Sequence, residues 1–189
     1  QRGRYSREEL QEIDRYAALF GIEVIPCIQT LAHLERVLHW QTYEDIRDCE
    51  YILLAEEEKT YELIDKMFAA MSEALTSRRI NIGMDEAHAL GLGKYLEKHG
   101  FQKRMDIMLN HFKRVWEIAS RYGYRPMMWS DMFFRLACGG EYYAGKVDLS
   151  LEVADRIPKE LTLVYWDYYS LETDRYDEML SSHKLLTDN

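Results

Sequence analysis

Residues 81–88 read NIGMDEAH and set two carboxylates, Asp85 and Glu86, side by side at the end of a short apolar run. Two acids converging on one site can divide acid and base work, because a shared, partly desolvated pocket pushes their protonation apart. Neighbouring side chains of a strand point to opposite faces, so both acids enter one site only if the strand ends there. Three other apolar runs close in a similar way. The run near 23–30 leads to Gln29 and His33, the run near 126–131 to Trp129 and Asp131, and the run near 161–167 to Trp166, Asp167, Tyr168 and Tyr169. Trp129 shares strand parity with Asp131, and Trp166 with Tyr168, so each pair can face one side. Flat indole faces match the C–H faces of pyranose rings, and such tips read as a sugar-binding wall. Each residue also has a plainer reading. Asp85 and Glu86 could stabilise a following helix N-terminus, His33 and His88 could be structural, and both tryptophans could be core.

The elements that must position these tips follow a repeating pattern. Ser6 can cap a helix carrying Leu10, Ile13, Ala17 and Phe20 at helical spacing, and Gly21 stops it. Further helices are expected from about Lys59 to Thr76, from about Gln102 to Arg121, and from about Asp174 to Leu186. Residues 34–56 read as a long connection, 137–146 (ACGGEYYAGK) as a glycine-bearing loop and 149–157 (LSLEVADRI) as a short segment before the last strand. GLGKYL (91–96) contains G-x-G but lacks the third glycine of a dinucleotide fingerprint, and it reads as a turn.

Helices alternating with continuous apolar strands indicate an α/β fold, a parallel sheet covered by helices. Active sites of such folds lie at the C-terminal strand edge, where all four tips collect. An open doubly wound sheet and a (β/α) barrel both fit. Four strands are too few for a closed barrel of ~250 residues. The chain opens and closes in helices, so the expectation is one partial domain, 1–189, a central piece of a larger barrel with about four parallel strands.

Composition narrows the function classes. The 189 residues are 47% hydrophobic and 30% charged, which is globular. A net charge of −9 without a basic stripe argues against nucleic acid. No apolar stretch approaches the ~20 residues of a membrane span. The three cysteines, Cys27, Cys49 and Cys138, match no zinc or redox spacing and read as free thiols, which favours a reducing, cytoplasmic compartment.

With these motifs in place, IGMDEAH resembles the catalytic motif of glycoside hydrolase family 20, the β-N-acetylhexosaminidases. VIPCIQTLAHL before it and MMWSDMF and LVYWDYY after it match in order over nearly the whole chain. The resemblance implies a (β/α)8 TIM-barrel catalytic domain and a retaining exo-glycosidase. Such an enzyme removes terminal β-linked N-acetylglucosamine or N-acetylgalactosamine by substrate-assisted catalysis. It implies Glu86 as general acid and base, and Asp85 as the group that orients the substrate acetamide. Trp129 and Trp166 would wall the sugar, Tyr168 (or Tyr169) would meet the acetamide oxygen, His33 would tune the acids, and Asp131 and Asp167 would bind sugar hydroxyls. No metal and no cofactor are called for. The partner is an N-acetylhexosamine-containing oligosaccharide or glycoconjugate, and a homodimer is compatible. The arginine, tryptophan and glutamate that such enzymes carry on other strands are absent, so the isolated chain is expected to show little or no activity. Two rival readings are a metal-dependent barrel isomerase or hydrolase, using His33, Asp85, Glu86, His88, Asp131 and Asp167 as ligands, and a non-catalytic carbohydrate-binding fragment.

Overall fold

The computed structural model describes residues 3–140 and 151–187. Helix α1 (Arg7–Ala18) opens on Ser6, whose Oγ accepts the Glu9 N–H at 3.2 Å while Glu9 Oε2 accepts the Ser6 N–H at 2.6 Å. This capping box satisfies two helix-end donors at once. The stretch 34–56, expected as a plain connection, instead holds α2 (Glu35–Leu38), a 3-10 helix (Gln41–Ile46) and a small antiparallel pair, β1 (Arg47–Cys49) with β2 (Ile52–Leu53). Helix α3 (Glu58–Ala74) then leads into β3 (Arg79–Asn81). Helices α4 (Lys94–His99) and α5 (Arg104–Arg121) lead into β4 (Arg125–Trp129). After these come α6 (Asp131–Ala137), α7 (Leu151–Ala154), β5 (Thr162–Val164) and α8 (Thr173–His183). Residues 141–146 of the expected glycine-bearing loop, and 149–150 of the segment after it, lie outside the described residues. The G-x-G stretch is a turn at Gly91 followed by the start of α4 at Lys94.

Strands β3, β4 and β5 form a parallel sheet in that order, with Asn81 opposite Met127 and Met127 opposite Thr162. The run 23–30, expected as a strand, makes a single parallel bridge between Cys27 and Asn81. Asn81 N–H donates to Pro26 O and Ile28 N–H to Asn81 O, both at 2.9 Å, and Thr30 N–H donates to Ile82 O at 3.2 Å. This run therefore lies along the outer edge of β3. Pro26 has no N–H to give a further neighbour, and proline is tolerated at such an edge. The ladders are also shorter than the runs 80–85, 126–131 and 161–167, because each tip turns away before its polar residues.

The core lies between the sheet and its helices. Ile80 and Met128 of the sheet, Phe68 of α3, Phe112 of α5 and Phe133 and Phe134 of α6 are all fully buried. Helix α5 turns inward the periodic apolar face expected of it, with Met108, Leu109, Phe112, Val115 and Ala119 buried, whereas α3 buries Tyr61, Ile64 and Phe68 and leaves the expected stripe of Leu63, Met67 and Met71 half-buried and Ala70 exposed. Among the described residues no helix is long and apolar enough to cross a membrane.

One buried histidine ties this core to the strand tips. His111 of α5 is fully buried, with Nε2 2.8 Å from Thr30 O and Nδ1 3.2 Å from Tyr61 Oη. A carbonyl only accepts, so Nε2 carries the proton and the Tyr61 hydroxyl donates to Nδ1. Burial pushes the His111 pKa down from 6.5 to about 4. Because the folded value lies below the unfolded one, the neutral ring's contribution is complete above pH 6.5 and is lost as the pH falls through 4. His111→Gln keeps a donor and an acceptor but does not titrate. Chemical unfolding at several pH values should show the stability gap between wild type and this variant shrinking by about 3 kcal/mol from pH 7 to 4. A gap independent of pH would contradict the assignment.

Candidate active site

The backbone at the end of β3 explains how two adjacent acids reach one site. Asn81 Oδ1 accepts the Gly83 N–H at 2.8 Å, and the chain then leaves the extended conformation. Gly83, Met84 and Glu86 have φ of +72°, +69° and +52°, and His33, at the neighbouring tip, has +58°. Left-handed backbone at a non-glycine residue costs on the order of 1–3 kcal/mol and collects at functional sites. Alternation therefore stops at Met84, and Asp85 and Glu86 both turn into the same cleft. Gly83 cannot be replaced without rearrangement, since a Cβ there would lie 2.1 Å from Gln29 Oε1.

The cleft encloses about 460 Å³ and is lined by His33, Asp85, Glu86, Trp129, Arg135, Trp166, Tyr168 and Tyr169. That volume lies within the range of clefts that hold small ligands. Asp85 Oδ1 accepts from Gln29 Nε2 at 3.0 Å, and its Oδ2 lies 3.0 Å from His33 Nε2. The same His33 nitrogen is 3.6 Å from Glu86 Oε2, so the imidazole stands between the two acids. Glu86 is 38% exposed at its side chain, open enough to meet a ligand, whereas Asp85 is more enclosed at 18%. The Trp166 and Tyr168 rings lie 5.9 Å apart at 31°, which makes a nearly continuous aromatic wall.

Two expected sugar ligands are placed elsewhere. Asp131 is completely buried beneath the cleft, where its Oδ2 accepts the Glu86 N–H at 3.0 Å. The parity argument put it beside Trp129, but Ser130 takes right-handed helical angles (φ −85°, ψ −14°) and Asp131 starts α6. Burial pushes its pKa up to about 6, with the Asp85 and Glu86 charges adding to the rise while the Glu86 N–H and Arg135 oppose it. Asp167 has a side chain only 1% exposed, and it accepts from Tyr169 N–H, Ser170 N–H and Tyr165 O–H. Burial alone would raise its pKa, but these donors and Arg175 hold it below the usual range. Asp167 thus braces the turn that carries Tyr168 and Tyr169. His88 does not line the cleft; its carbonyl accepts from Arg104, and burial lowers its pKa.

Gln29 and Arg135 are site residues whose roles are hard to read from sequence. Gln29 sits at a strand tip, but its partner is 56 residues away. Arg135 stands one helical turn after Asp131, with Nε 3.4 Å from Asp131 Oδ2, and that i,i+4 spacing is the one signal for it. Among the described residues no three His, Cys, Asp or Glu side chains gather to hold a metal ion.

The family model for the glycosyl hydrolase family 20 catalytic domain matches residues 1–182. The chain belongs to glycosyl hydrolase family 20. Similar proteins include hexosaminidase D of Homo sapiens, 28% identical over 95% of this chain and 36% of the relative. Hexosaminidase D of Bos taurus is 29% identical over 87% of this chain and 47% of the relative. The chain thus spans less than half the length of these curated relatives. Among solved structures, the exo β-N-acetylglucosaminidase of Vibrio harveyi superposes with a TM-score of 0.69 at 15% identity, covering 97% of this chain and 28% of that one. The N-acetyl-β-hexosaminidase of Streptomyces plicatus gives 0.63 at 20% identity, covering 97% and 32%. At these identities the likeness establishes a shared fold.

Proposed function

We propose that this chain is part of the (β/α)8 catalytic barrel of a retaining exo-β-N-acetylhexosaminidase. The observation that carries the reading is the entry of Asp85 and Glu86 into one cleft walled by Trp129 and Trp166. The substrate is a terminal N-acetylhexosamine on an oligosaccharide or glycoconjugate. Glu86 protonates the glycosidic oxygen as the bond to the anomeric carbon breaks. The substrate's own acetamide oxygen attacks that carbon and forms an oxazolinium ion, so no enzyme nucleophile is required. Asp85 orients the acetamide and stabilises the positive charge that develops on its nitrogen. Gln29 fixes one Asp85 oxygen from behind, which leaves the other beside His33 and facing the cleft. The Glu86 carboxylate then takes a proton from water, which attacks the anomeric carbon and reopens the ring.

Two displacements at one carbon retain its configuration. Proton NMR of early hydrolysate from the full-length protein is expected to show the β-anomer of the released sugar first. The α-anomer appearing first would mean a single inverting step and would contradict the scheme.

A further inference from the structure

We infer that Asp131 is a positioning residue, whose buried carboxylate holds the Glu86 backbone N–H and thereby fixes the turn that aims the Glu86 carboxyl into the cleft. The inference rests on Glu86 being the general acid.

Three observations converge on it. Asp131 Oδ2 accepts the Glu86 N–H at 3.0 Å, across 45 residues of chain. Glu86 is held at φ +52°, a conformation that a glutamate rarely adopts without something to hold it. Asp131 has no exposed surface, so it cannot touch a sugar in the cleft and acts only through what it holds. Its own placement is fixed, because it begins α6 ahead of the buried Met132, Phe133 and Phe134 and pairs with Arg135 on the next turn. Its Oδ1 is buried with no protein hydrogen-bond partner among the described residues, so the carboxylate satisfies the Glu86 turn while leaving its own second oxygen unmatched. A group that served packing alone would more economically be apolar or fully paired.

A misplaced acid matters most when the leaving group is poor and needs the proton. A 2,4-dinitrophenyl leaving group departs without it. The test compares Asp131→Ala, Asp131→Asn and Glu86→Gln in the full-length protein, on an N-acetylglucosaminyl disaccharide and on the 2,4-dinitrophenyl glycoside. Glu86 also activates water in the second step, so the comparison uses kcat/KM, which reports events up to bond cleavage; Asp131→Ala is expected to lower it on the disaccharide about 10²-fold. The loss of kcat/KM on the activated substrate should be far smaller, and the Kd of a non-hydrolysed inhibitor should shift less than about threefold. Asparagine keeps an acceptor for the Glu86 N–H, so Asp131→Asn should recover about tenfold of the loss. If the alanine variant fails to fold, Asp131→Glu carries the test, because it keeps the charge and displaces the acceptor by one methylene; the same dependence on leaving group is then expected. Equal losses of kcat/KM on both substrates, or a loss carried by inhibitor binding alone, would overturn the inference. Glu86→Gln sets the scale. If it collapses on the disaccharide alone while the Asp131 variants show no such bias, the positioning role fails by itself. If Glu86→Gln shows no bias either, the acid assignment fails and the positioning role with it.

Discussion

Glu86→Gln is expected to lower kcat on an N-acetyl-β-glucosaminide with a sugar leaving group by about 10³-fold, the scale of a lost general acid. That factor corresponds to about 4 kcal/mol of transition-state stabilisation. Glutamine fills the same volume and keeps a carbonyl oxygen for the His33 ring, which stands 3.6 Å from Glu86 Oε2. Its amide N–H is far too weakly acidic to protonate the glycosidic oxygen. Ground-state contacts to the aromatic wall are untouched, so the Kd of a non-hydrolysed inhibitor should stay within a few-fold of wild type, roughly the ratio expected when only the transition state is affected. Steady-state kinetics and titration calorimetry on the full-length protein separate the two effects. An unchanged kcat would remove Glu86 from the chemistry and favour a carbohydrate-binding role for the cleft. A loss expressed wholly in binding would place Glu86 among the sugar contacts instead.

The parts of the fold that were legible in sequence are those governed by local rules. The Ser6 cap and the apolar stripe of α5 each follow from residues a few positions apart. The strand tips were legible for a related reason, since an apolar run ending in His33, Asp85–Glu86, Trp129 or Trp166 marks where a parallel sheet meets its cleft. The β1–β2 pair was not legible. Its strands are three and two residues long, too short for alternation to register. The Pro26 run read as a strand because its composition is right, but position at a sheet edge is a tertiary fact.

Within the site, the misplacements have one physical source. Parity arguments assume that a strand continues through the residues being paired. Trp166 and Tyr168 do lie along one wall, with their rings tilted to each other, but Asp131 lies beyond the Ser130 turn and Asp167 folds back onto the turn after it. Gly83 can adopt left-handed backbone freely, whereas nothing in the types of Met84, Glu86 and His33 marks it, because what holds a strained residue in place is distant in sequence. Asp131 holds the Glu86 N–H from 45 residues away, and Gln29 holds the neighbouring Asp85 carboxylate from 56.

Removing the substrate acetamide tests the assignment of both acids at once. In the proposed scheme the acetamide is the nucleophile, already bound within reach of the anomeric carbon, and Asp85 has no other task. Intramolecular nucleophiles held this way correspond to very large effective concentrations. A β-glucoside differs from the N-acetyl-β-glucosaminide only at that substituent, and it still fits a cleft of about 460 Å³. The decisive measurement is kcat/KM of the full-length protein on this pair with one aglycone. The account predicts that the glucoside is slower by about 10⁴-fold or more. Rates within about tenfold of each other would mean that the enzyme supplies its own nucleophile or base, and the pairing of Asp85 with Glu86 would need another explanation.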